Sequence, residues 1–298
     1  MGRYLAAREG AEVLRVRLGN KAVIDPVDYG EPLSMNGVRV SLHPAGHILG
    51  SSQIRVEHRG EVWVVSGDYK VAPDWTCRAF EPVRCHTFIT ESTFGMPIYR
   101  WPDPQAVTRE INAWWRANAA EGVASLLMAY SLGKAQRLLG SLDPSIGPIF
   151  THDAVEPLSD CYRRAGIDLP ATQRPEDWAD RGGFGTAMVI SPPSAVGSPW
   201  FQQFGAVATA FASGWMMVRG TRRRRNITRG FVVSDHADWP ELIATIRATE
   251  AERVLVTHGS VAVLVRWLRE HGWEAGPLVA ERRGEERRGE EGGGDEDL

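Results

Sequence analysis

The sequence predicts an α/β fold in two parts, and three observations carry that reading. Residues 37–70 hold three short strands of alternating polarity: Val38, Val40 and Leu42, then Ile54 and Val56, then Val62, Val64 and Val65 after the Arg59-Gly60 turn. From residue 123 onward, continuous apolar runs at 123–130, 148–151, 186–191 and 206–211 alternate with helical stretches at 132–142 and 156–165. Buried strands interleaved with helices belong to a mostly parallel sheet covered on both faces, so a second α/β domain spans about residues 103–228. Thirdly, His47, Asp68, Glu91, His236 and His258 each stand just past the end of an expected strand. In layered α/β folds such ends converge on one edge, where sites are built.

In chain order, Arg3-Tyr4-Leu5 reads as a strand that begins in mid-element, and Glu9–Leu18 as a helix. A short strand and a loop holding Pro26 and Pro32 lead to the three-strand block. His47 and Asp68 each follow a glycine, which lets the backbone turn sharply and leaves the side chain facing a cleft. The loop from Val71 to Val83 precedes a strand, His86–Thr90, that ends at Glu91. Asp103 is placed to cap a helix running to about Ala120, with Pro104 at its first position and Ile111, Trp114 and Trp115 on its apolar face. Phe231–Ser234 reads as a strand ending at Asp235-His236. Asp238 caps the next helix, with Pro240 and Glu241 in its first turn. A strand from Arg253 to Thr257, closed by His258-Gly259, a helix from Val261 to His271 and a last short strand complete the ordered part, residues 229–280.

Composition excludes several classes. The chain has 298 residues, 43% hydrophobic and 24% charged, with no apolar run approaching the ~20 residues of a membrane span. It shows no secretory signal pattern. Cys77, Cys85 and Cys161 are odd in number and lack CxxC spacing, which argues against a disulfide framework and for a reducing cytoplasm. Net charge is −3, yet Arg219, Arg222, Arg223, Arg224, Arg225 and Arg229 crowd one segment, compatible with phosphate-backbone contact or with a solvated loop. Residues 281–298 are charged and glycine-containing with almost nothing to bury, and are expected to be disordered.

The motifs GHILGSSQ, SGDYK, ESTFG, AYSLGKAQ, SDHADW and THG, in that order, resemble the β-CASP branch of the metallo-β-lactamase superfamily, whose members cleave DNA or RNA. FASGWM followed by an arginine run and GFVVSDHADWPEL looks most like the DNA-ligase-associated exonucleases of that branch. The resemblance covers about residues 3–280. It implies a four-layer αββα metallo-β-lactamase domain from residues 1–102 and 229–280, with residues 103–228 inserted as a β-CASP cap. It implies two zinc ions, with His47 on one, His258 on the other and Asp68 bridging them. Glu91 and His236 would pair, with His236 protonating the leaving oxygen or steadying the phosphate. Substrate would lie between the two domains, near the arginine-rich segment. His43, four residues before His47, could also be a ligand, and the family match selects His47.

Further contacts to nucleic acid are expected from Ser131 and Lys134, at a helix start able to receive a phosphate, and from His152 at a strand end. Ser213 and Gly214, beside Trp215, could contact a single strand. The spacing around Ser131-Leu132-Gly133-Lys134 lacks the GxxxxGK[ST] loop, so ATP binding is rejected.

One departure stands out: the superfamily's HxHxDH motif is absent, and no HxH occurs in the sequence. The expectation is an N-terminally truncated chain with an incomplete zinc ligand set and impaired activity, rather than a non-catalytic paralogue. The resemblance then implies phosphodiester hydrolysis of DNA, exonucleolytic and in repair alongside a ligase and a helicase. The alternatives are an RNA-processing nuclease of the same fold, a non-catalytic nucleic-acid-binding scaffold subunit, and a small-ester or thioester hydrolase. The second domain and the arginine cluster argue against the last.

Overall fold

The protein is described from a computed structural model over residues 3–19, 21–178, 183–218 and 229–279. Arg219, Arg222, Arg223, Arg224 and Arg225, and the charged tail, lie outside the described residues. The chain opens with β1 (Arg3–Ala7), α1 (Ala11–Leu18) and β2 (Val23–Val27), and β1 and β2 pair in parallel. Next come β3 (Leu33–Met35), β4 (Val38–Pro44), β5 (Ser52–His58), β6 (Glu61–Val65) and β7 (Thr87–Ser92). The alternating segments follow: α2 (Pro104–Ala120), β8 (Ala124–Met128), α3 (Lys134–Ser141), β9 (Ile149–Thr151), α4 (Glu156–Arg164), β10 (Met188–Ser191), α5 (Pro199–Gln202) and β11 (Val207–Ala212). The chain continues through β12 (Arg229–Phe231), α6 (Trp239–Ala248), β13 (Arg253–Gly259), α7 (Val261–Glu270) and β14 (Glu274–Pro277).

These strands form a mixed α/β fold. A seven-stranded sheet runs β14-β13-β7-β6-β5-β4-β3, parallel at the β14 end and antiparallel from β6 onward. A five-stranded sheet, β12-β11-β8-β10-β9, is parallel throughout. The sequence patterns explain the split. The hairpin strands alternate because helices cover one face, where Val62, Val64, Phe88, Val254 and Val256 meet Trp239, Ile243 and Ile246 of α6 and Leu264 and Leu268 of α7. The continuous strands are buried on both faces. Leu127, Met188 and Ile190 face α2, α3 and α4, while Leu126, Phe150 and Val189 face Phe204 and Trp200. Each of the larger buried side chains contributes about 1.5–3 kcal/mol.

Two differences from the sequence expectation bear on the site. The strand expected at 231–234 is Arg229–Phe231 and pairs with β11 in the five-stranded sheet, so residues 232–238 form an irregular connection that carries His236. Glu91 and His258 lie inside β7 and β13 rather than beyond them. At His258 the backbone is left-handed, with φ 56°, and the ladder register shifts between Val256 and Gly259.

Candidate metal centre

Three of the expected residues converge on one point. Ligand atoms of His47, Asp68 and His236 all lie within 4.8 Å of one another, with Asp68 exposed and both histidines half-buried. Each is delivered by a tight connection. His47 sits in the turn after β4, where Ser51 Oγ accepts from the backbone N–H groups of His47 and Ile48 at 3.0 and 3.2 Å. Gly46 in this turn has φ +70°, and a Cβ there would stand 2.2 Å from the Lys70 carbonyl oxygen. Asp68 follows the end of β6, and His236 follows Ser234, whose Oγ accepts from the His236 N–H at 3.1 Å.

Hydrogen bonds fix both imidazoles through Nδ1. The Asp235 carbonyl stands 2.7 Å from His47 Nδ1 and can only accept, so that nitrogen carries a proton and Nε2 is the ring nitrogen left for the shared space. His236 Nδ1 faces both oxygens of Glu91, at 2.9 and 3.0 Å, leaving its Nε2 for the shared space. A histidine whose second nitrogen is held by a carbonyl or carboxylate is the arrangement that orients metal ligands. Imidazole and carboxylate donors such as His47 and Asp68 fit a divalent transition metal, and the His236 Nε2 beside them either joins as a third donor or, protonated, stands there as an acid.

Burial pushes the Glu91 carboxyl up, but the neighbouring His236, the Thr93 hydroxyl and the Tyr69 N–H outweigh it and leave the pKa below the ordinary value. For His236 burial pushes down, and the Glu91, Asp235 and Asp68 charges more than reverse it, so its pKa is raised. Asp235 is held well below the carboxylate range: burial opposes ionisation, and the charges of Lys134, His47 and His236 overcome it.

The other expected residues are placed variously. His258 is exposed and stands outside the three-donor cluster, although Ser92 Oγ donates to its carbonyl at the same sheet edge. Ser131 lines a cleft of about 1030 Å³ with His47, His236, Val13 and Arg17 of α1, and Pro192 and Pro193. Lys134 does not face that cleft as a free ammonium: it is 3% exposed and pairs with Asp235 at 2.9 Å. Ser213 and Gly214 are buried, and Ser213 caps a single 3-10 turn. His152 packs edge-on to Trp200 at 4.7 Å, and its Nδ1 accepts from the Ala154 N–H. His43 bonds to Ser41 instead of joining the cluster. Sequence reasoning missed Asp235, Asp74 and Arg137. Lys134 and Arg137, on a helix that also carries Ala135, Leu138 and Leu139, were the available signal, since a buried cation calls for a buried acid.

Fold and site together define an α/β protein with a two-histidine, one-carboxylate cluster at the edge of its larger sheet. No protein-family model matches the chain. It is 32% identical over 268 residues, 89% of its length, to the "Probable DNA ligase" of Opitutus terrae. It is 32% identical over 123 residues to "Endoribonuclease YSH1" of Candida albicans. To the "Cleavage and polyadenylation specificity factor subunit 3-I" of Arabidopsis thaliana it is 30% identical over 125 residues, 40% of its length. The matched segments span 26%, 14% and 17% of those three proteins respectively. These similarities support the β-CASP family, the one that the motif order resembles. No described helix is long and apolar enough to cross a membrane.

Proposed function

We infer that the chain carries the site of a metal-dependent nuclease that hydrolyses phosphodiester bonds. The observation that carries this is the pair of histidines aimed through Nε2 at the space beside Asp68, each anchored at Nδ1. His47 and Asp68 would hold zinc, which suits imidazole and carboxylate donors. A bound ion would supply positive charge opposite the phosphate and acidify an attacking water. His258, at the same sheet edge, is assigned to a second ion that Asp68 would share. His236, with its raised pKa, holds a proton at Nε2 and passes it to the leaving oxygen, while Glu91 keeps the ring oriented.

DNA is the first substrate assigned, with exonucleolytic action in repair beside a ligase, because one match covers 89% of the chain and is to a protein named for DNA ligation. RNA is a reading of equal standing, favoured by the matches to an endoribonuclease and to a cleavage and polyadenylation factor subunit. End-labelled single-stranded DNA and RNA of one sequence, incubated with the chain and added zinc or manganese, separate the two. Metal-dependent cleavage that disappears in His47→Ala and Asp68→Ala is expected. Binding without cleavage of either strand would favour a scaffold subunit, and cleavage that survives both substitutions would sink the assigned site.

A further inference from the structure

Lys134 and Arg137 stand one turn apart on α3, and both reach the irregular connection that carries His236. Lys134 Nζ lies 2.9 Å from Asp235 Oδ1, with the two side chains 3% and 5% exposed. It also sits 4.5 Å from the centre of the Tyr130 ring. Arg137 donates to the Ser234 carbonyl at 2.6 Å and forms a buried ion pair with Asp74. Between these two anchors the Asp235 carbonyl accepts from His47 Nδ1 at 2.7 Å. The helix start also approaches the His47 turn closely: at Gly133, with φ +80°, a Cβ would stand 2.3 Å from Ile48 Cγ2.

A buried ion pair adds little to stability, because desolvation consumes most of the attraction, and an apolar pair of like size often serves as well. What the charges add is definition: an acid buried against one lysine has one place to stand. We propose that Lys134 and Arg137 are positioning residues that set the 234–236 turn, so that the Asp235 carbonyl fixes the tautomer and pose of the His47 ring. The proposal rests on His47 being a metal ligand, as assigned above. A helix of the five-stranded unit thereby sets the aim of a donor on the seven-stranded sheet.

The test reads His47 directly, from nitrogen-15 spectra of the imidazoles in the metal-free chain, beside a cobalt(II) titration followed by visible absorption. In the wild type His47 is held as its Nδ1–H tautomer. In Lys134→Met the tautomers mix and cobalt affinity falls about 10–100-fold. Because that variant leaves Asp235 charged without its ion-pair partner, Lys134→Met/Asp235→Leu is measured with it. The double variant regains the wild-type melting temperature yet keeps the mixed tautomers and the weaker cobalt binding. Folded variants with the wild-type tautomer and wild-type cobalt affinity overturn the proposal. Tautomer mixing in the variants, together with a wild type that takes up no cobalt, supports the positioning role and overturns the metal assignment instead.

Discussion

Glu91 is 3% exposed and would be costly to ionise alone, yet it meets His236, the Thr93 hydroxyl and two backbone N–H groups, from Tyr69 and Thr93. The pair has a definite pH signature in the metal-free chain. His236, with its folded pKa raised above 6.5, contributes stability fully present below that value and lost as pH rises through the folded one. Glu91, lowered from 4.5, contributes stability present above that value and lost as pH falls through its folded one. Urea melts from pH 3 to 9 should therefore show the Glu91→Gln/His236→Gln double variant losing most between about pH 4.5 and 6.5, and less on either side. An equal loss at all pH values would mean the groups are not ionised together. Glu91→Gln alone removes the largest charge opposing burial, so the His236 pKa should fall from its wild-type position in an NMR titration. Cleavage at neutral pH should fall about 10²–10⁴-fold, the range of a lost general acid.

Two helix caps separate stability from chemistry. Asp103 accepts from the Gln105 and Ala106 N–H groups at the exposed start of α2, so Asp103→Ala should cost about 1 kcal/mol by thermal melting and leave cleavage unchanged. Asp238 caps α6 reciprocally with Glu241 and also accepts from the Trp101 N–H, while the Trp101 indole donates to the His236 carbonyl. Asp238→Ala should cost about 2 kcal/mol and also slow cleavage, because the backbone of His236 loses a support. Both caps were legible in the sequence, since Asp-Pro and Asp-x-x-Glu act within one turn. So were the three antiparallel strands, whose polarity alternates. The strand at 231–234 was not legible: Val232 and Val233 are apolar enough for a strand, but β11 pairs only from Arg229 to Phe231. Lys134 was misplaced for a related reason, because its partner Asp235 is distant in sequence and no local pattern announces the pairing. His47, Asp68 and His236 were singled out in the sequence, His236 as proton donor and the other two with His258 as ligands, and the structure brings donor atoms of the first three within 4.8 Å of one another.

At the scale of the molecule, the largest core does not respect the division into two sheets. Val13 of α1 and Leu49 of the His47 turn are buried in the same cluster as Leu127, Leu139 and Tyr162 of the five-stranded unit. Gly10 and Gly50 bring α1 onto that turn so closely that a Cβ at Gly50 would stand 2.1 Å from Gly10 Cα. Gly50→Ala should destabilise the chain by about 2–5 kcal/mol, from overpacking and a left-handed backbone together, as read by denaturant melts. Fluorescence and circular dichroism should lose their signals together in those melts, because the two units share apolar contacts rather than meeting across water.

The Leu49 N–H donates to the Tyr162 hydroxyl at 3.0 Å, two residues from His47. That bond ties the His47 turn to α4, inside the core the two units share. Parting the two units would break it and bare the apolar surface of Val13, Leu49 and Leu139 to water, a cost that holds the turn where the helix puts it.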